Sequence, residues 1–159
     1  MKYSSLISGL AGSLALTLLH ETLRKNVDLA PRMDLMGEQG LAKILFATGI
    51  PIPEEPELFK LTMGGDIVGN AGYYALVATT PKHPLVAGAV LGIAAGVGAL
   101  TLPDKLGLNE QYSNATTKTQ VLTMAIYFFG GIVAGLVYDA LENKFPTNEV
   151  EDKQNDSAH

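Results

Sequence analysis

Cysteine and tryptophan are missing from the 159 residues, and histidine occurs only as His20, His83 and His159. Without cysteine there is no disulfide framework, no thiolate nucleophile and no thiolate metal site, so redox chemistry says nothing of the compartment. Charge is scarce as well. Charged residues make up 17% of the chain, against roughly 25% in soluble domains. The net charge is −5 with no basic cluster, which argues against nucleic acid as a partner.

Chemical signatures are also few. There is no HExxH, no Glu-x-x-His pair of the di-iron type, and no Walker lysine after a glycine-rich run, so neither a metal nor a cofactor is expected. No histidine has an evident serine and aspartate partner in the sequence, which leaves nucleophilic catalysis without support. No internal repeat of about 20–50 residues is visible.

What the chain has instead is long uncharged runs. Pro84–Pro103, PLVAGAVLGIAAGVGALTLP, holds twenty residues without one ionisable side chain. As a helix it reaches about 30 Å, the thickness of a hydrocarbon core. Tyr3–Leu19 is a second run, passing directly into His20-Glu21-Thr22-Leu23-Arg24-Lys25. That continuity favours a retained span over residues 4–25 rather than a signal peptide cleaved after Ser13-Leu14-Ala15. Thr119–Tyr138 gives a third run, read as a span over 119–140. The stretch 61–80 reads as a fourth span and the least apolar, since it contains Asp66 and Asn70.

Between the first two spans lies a polar segment. Ala30-Pro31-Arg32 reads as a turn, and residues 34–48 as a modest amphipathic helix with Asp34 as its cap. Three prolines among residues 51–56 favour an extended connection, with Pro56 in the first turn of the next helix. The brevity of Pro81-Lys82-His83-Pro84 makes spans two and three antiparallel neighbours. Residues 105–118 read as a polar loop, and 145–159 as a disordered acidic tail.

The expected fold is therefore all-α: an integral membrane four-helix bundle with a short interfacial helix between spans one and two. Its helices would pack through Gly88, Gly92 and Gly96, through Gly131 and Gly135, and through the GxxxG pair Gly65 and Gly69. These faces also suit a homo-oligomer; a protein partner is not specified. Seven of the eleven Lys and Arg residues lie in the loops 24–60 and 105–118. The positive-inside rule then puts both termini outside the plasma (inner) membrane.

Two groups of residues are candidates for chemistry. Asp66, Asn70 and Tyr73 form a stripe that can bind a cation or relay a proton. An aspartate at a helix centre in lipid costs roughly 2.5–3.5 kcal/mol on insertion scales and is a functional candidate by default. The plainer alternative pairs Asp66 with Lys60 or Arg24. The second group is an interfacial cluster of His20, Glu21, Arg24, Arg32 and Asp34, whose plainer reading is ion pairing, with Arg32 solvated. Tyr3, Tyr112 and Tyr138 suit an aromatic belt. Asn114-Ala115-Thr116 matches a glycosylation sequon, and Asp139 with Glu142 an acidic terminus.

Three function classes follow. A transport or channel-like protein would expose Asp66 to a cavity. A non-catalytic scaffold would ion-pair Asp66 and have no cavity. A membrane enzyme would gather His20, Glu21, Arg32 and Asp34 around a pocket.

Overall fold

The computed structural model describes residues 3–144, and these are helical with no strand among them. Six α-helices follow one another: α1 Tyr3–Asn26, α2 Met33–Thr48, α3 Glu55–Tyr74, α4 Pro84–Thr101, α5 Gln111–Asn114 and α6 Thr117–Lys144. Short 3₁₀ segments, Ala75–Thr79 and Asp104–Leu106, extend α3 and follow α4. The tail expected at 145–159 lies outside the described residues.

Three of these helices, α1, α4 and α6, are long and apolar enough to cross a membrane. That is one fewer than the four spans expected. Helix α3 begins at Glu55 rather than Leu61 and carries Glu55, Glu57, Lys60 and Asp66 along its length, which dilutes its apolar character. Pro56 does sit in its first turn, where a missing N–H costs nothing.

Glycine decides how the helices meet. A side chain at Gly88 of α4 would run into the backbone of Gly131 in α6, and one at Gly12 of α1 would lie 2.6 Å from the Gly130 carbonyl oxygen. With hydrogen at these positions the backbones come into direct contact, which is how helices gain packing where lipid offers no hydrophobic drive. The repeat at Gly88, Gly92 and Gly96 is thus consumed inside the chain, against α6. Only Gly65 and Gly69 of the expected faces stay open, with no atom near the position of a Cβ.

Helix α6 packs extensively against both α4 and α1, and α1 in turn against α3. The four long helices therefore form a curved row in the order α3, α1, α6, α4. Across the short turn, α3 and α4 barely touch; the 3₁₀ segment Ala75–Thr79 makes most of that contact. The expectation of close antiparallel neighbours holds at the turn and fails beyond it, because α1 and α6 supply the small residues that allow close approach. The core comprises Leu16, Tyr74, Val77, Ile126, Ala134 and Tyr138. Tyr138 is 1% exposed, so it belongs to the core and not to an aromatic belt.

At the other end the loops interlock. The Arg32 N–H donates to the Tyr112 carbonyl at 2.7 Å, and the Thr119 hydroxyl to the Leu29 carbonyl at 2.9 Å. The Asn109 N–H donates to Gln39 Oε1, and the Lys43 ammonium to the Gly107 carbonyl. Residues 105–118 are thus no plain polar loop: Ser113 is buried and donates to the Ala99 carbonyl at 2.7 Å. Asn114, the sequon residue, accepts from Gln120 Nε2 at 2.7 Å. Together these contacts lay α2 and α5 across the ends of the long helices.

Candidate functional site

The cluster expected at the end of the first helix is assembled. Helix α1 carries His20, Glu21 and Arg24 on successive positions of one turn, and the loop 27–32 folds back so that Arg32 and Asp34 face them. Arg24 Nε and Nη2 donate to both oxygens of Glu21, at 2.5 and 2.8 Å. Arg24 Nη1 also lies 3.7 Å from Asp34 Oδ2, and Lys25 Nζ 3.5 Å from Glu21 Oε2. Arg32 grips Asp34 in a forked contact, Nη2 to Oδ2 at 2.8 Å and Nε to Oδ1 at 3.0 Å. Such fork-on-carboxylate geometry is the strongest form of charge-assisted hydrogen bond.

This corrects one expectation. Asp34 does not cap α2; the N-cap position is Arg32, and no side-chain cap bond forms. The carboxylate of Asp34, 3% exposed, is turned to the two guanidinium groups instead. Burial alone would raise its pKa, but the hydrogen bonds and charge of Arg32, the Leu35 N–H and the charge of Arg24 outweigh it and hold it below the usual range. Glu38, one turn further on and buried, goes the other way. Burial and the nearby charges of Glu55 and Asp34 push its pKa up.

His20 sits at the centre. Its Nε2 lies 3.1 Å from the Pro31 carbonyl oxygen, which only accepts, so that nitrogen carries a proton. Nε2 is also 4.0 Å from Asp34, and Nδ1 is 3.8 Å from Glu21. Among the described residues no group of three or more His, Asp or Glu side chains is arranged to hold a metal.

Next to the cluster lies a cavity of about 220 Å³. His20 of α1, Asp34 of α2, Met63, Asp66 and Asn70 of α3 and Tyr127 of α6 all line it. The sequence placed His20 and Asp34 in one group and Asp66 and Asn70 in another; the fold brings them to one space. Asp66 makes no ion pair or side-chain hydrogen bond among the described residues, so the expected partnership with Lys60 or Arg24 is absent. Asn70 Nδ2 donates to the Asp66 main-chain carbonyl at 2.9 Å, leaving its amide oxygen toward other partners. Gly37 of α2 abuts the carboxylate: a Cβ there would lie 3.2 Å from Asp66 Oδ2. One turn before Asp66, the buried hydroxyl of Thr62 has no hydrogen-bond partner among the described residues.

Tyr73 leaves this group. Its hydroxyl donates to the Leu91 carbonyl of α4 at 2.9 Å, and its ring meets Tyr74 edge-on at 5.5 Å. The stripe read from helical spacing is therefore two residues deep at the cavity, not three. Beyond Leu16 and Tyr127 the core closes the cavity, with Tyr74 bonded to the Tyr127 carbonyl at 2.7 Å. The acidic terminus is unremarkable: Glu142 accepts from Ser4, and Asp139 from Asn143.

Sequence reasoning missed Gly37, Met33, Met36 and Met63 as cavity residues. Glycine and methionine carry no charge pattern, and only their place in the lining of the cavity that holds Asp66 gives them meaning. Comparison of the chain with protein-family models, with curated proteins and with solved structures found no match.

Proposed function

We propose that this is a membrane protein that takes up a proton or small cation in the cavity at Asp66, as the central step of a transport activity. The observation that carries the reading is the carboxylate of Asp66, half-buried and without an ion partner, on the wall of a cavity it shares with Asn70, His20 and Asp34. A carboxylate withdrawn from water and left uncompensated favours acquiring a proton or cation.

In this reading α3 lies among α1, α4 and α6 within the bilayer as a fourth span, its polar face turned to the cavity rather than to lipid. The loops rich in Lys and Arg lie in the cytoplasm and both termini outside, in the plasma (inner) membrane. Since the core closes the cavity on the terminal side, passage requires rearrangement of the helices, not an open pore. The open Gly65 and Gly69 face of α3 offers a surface for a second copy.

The scaffold reading expects an ion-paired Asp66 and no cavity, and fits less well. The enzyme reading expects His20, Glu21, Arg32 and Asp34 around one pocket; the four do come together, but only His20 and Asp34 line the cavity, and Glu21 and Asp34 are taken up by arginines. The cluster acts as a clamp that ties α2 to α1.

Proton and cation flux into liposomes containing the wild-type protein or Asp66→Asn tests the proposal. Flux above that of empty vesicles, lost in a variant that inserts and melts like wild type, is the expected result. No flux from inserted wild type, or equal flux from the variant, overturns it.

A further inference from the structure

A second space adjoins the polar cavity. It measures about 360 Å³ and runs along α4, lined by Ala94, Ala95, Gly98 and Leu102 at that helix, by Met33 and Met36 of α2, by Leu106 and Leu108 of the loop after α4, and by Tyr73 of α3 and Tyr127 of α6. Apart from the two tyrosines these side chains are apolar, and the Tyr73 hydroxyl is already bonded to the Leu91 carbonyl, so the space is apolar in character. Met33, Met36, Leu108 and Tyr127 line both cavities. Polar and apolar compartments therefore meet across one set of side chains, and methionine is the residue type that most readily changes shape to join them.

Charge decides which end of a ligand goes where. The polar cavity presents Asp66 without a counter-charge, while Asp34 and the guanidinium groups near it neutralise one another. The aromatic ring of Tyr127 favours an organic cation, and the side chains of Met33, Met36 and Met63 can adapt to its shape. An anionic head would face Asp66 unscreened. A fully hydrated metal ion would leave the apolar half unused.

We infer that the ligand is a lipophilic ammonium ion, its charged nitrogen at Asp66 and Asn70 and its alkyl part in the apolar space along α4. The inference rests on the reading of the Asp66 cavity as a cation site.

The test is calorimetric titration of the full-length protein in a nonionic detergent at neutral pH with hexylammonium, methylammonium and hexanoate. Hexylammonium should bind saturably and at least about tenfold tighter than methylammonium, since several methylenes leave water. Hexanoate should not bind. Asp66→Asn should abolish binding of both amines. Ala95→Phe, which fills the apolar space, should bring hexylammonium down to the level of methylammonium and leave methylammonium unchanged. Gly98→Val, at a position where a Cβ meets nothing closer than 3.5 Å, serves the same purpose should Ala95→Phe misfold. Equal binding of the two amines that still requires Asp66 would overturn this inference and leave the cation site standing, as would hexylammonium binding indifferent to both filling variants. No amine binding at all would overturn the inference and leave the cation site to the flux measurement, whereas amine binding untouched by Asp66→Asn would overturn both.

Discussion

Gly37 of α2 rests its bare Cα against the carboxylate of Asp66 on α3, with room for nothing larger than hydrogen: a Cβ would come within 2.6 Å of Thr62 Cγ2 and 3.2 Å of Asp66 Oδ2. Both residues line the polar cavity. Their contact couples the interfacial helix to the group proposed to take up the cation.

Gly37→Val should therefore force α2 away from α3 or turn the Asp66 side chain. We expect a lower melting temperature in detergent and loss of flux even though Asp66 itself is intact. Gly64→Val is the control, because nothing lies within 4 Å of a Cβ at that position and Gly64 does not line the cavity.

Helix packing predicts a second contrast. Gly88→Ala places a methyl group into the Gly131 backbone, which cannot move aside as a side chain can. Separating α4 from α6 should cost several kcal/mol, on the scale of overpacking and lost core contact. Gly64→Ala, with open space around it, should be neutral or stabilising by up to about 1 kcal/mol through helix propensity. Reversible unfolding in mixed micelles measures both.

Asp34 and Glu38 should give stability opposite dependences on pH. The folded-state pKa of Asp34 is depressed, so its contribution is present above the ordinary carboxylate pKa, about 4, and is lost as pH falls through the lower folded value. Asp34→Asn should lower the melting temperature at pH 7, by the equivalent of about 2 kcal/mol for a lost charge-assisted bond, and the loss should shrink in acid. The pKa of Glu38 is raised, so its contribution is present in acid and lost as pH rises through the folded value. Glu38→Gln should therefore stabilise the protein at pH 7 and do little at pH 4. Melting curves across pH 3–8 distinguish the two signs.

Tyr73→Phe separates the stripe into its parts. Losing the bond to the Leu91 carbonyl should cost about 1 kcal/mol of stability and leave cation binding unchanged. An effect on binding as large as that of Asp66→Asn would put Tyr73 back in the site.

Much of the helical framework is legible in the chain because apolar runs and proline placement are local signals. The start of α4 at Pro84 and the helix after Pro31 follow directly from them. The limits of such reading are non-local. Helical spacing put Tyr73 beside Asp66 and Asn70, yet the approach of α4 drew its hydroxyl to Leu91. Asp34 had the sequence position of a helix cap, but two arginines offer a charged partner that an N–H cannot match. His20 and Asp66 lie 46 residues apart in the chain, and nothing in their local surroundings announces that the packing of α1 on α3 brings them to one cavity. The glycine repeats were readable as packing faces, though not which partner each would meet.

The natural absence of cysteine makes the most direct test simple. Single variants Asp66→Cys, Asn70→Cys and Ala134→Cys can be exposed, in sealed vesicles, to a membrane-impermeant cationic thiol reagent from either side. A cavity at Asp66 that opens toward the loops predicts rapid modification at positions 66 and 70 from the loop side alone, and none at 134, which is fully buried in the core. Failure of the reagent to reach position 66, or reaction there only from the side of the termini, would contradict the account.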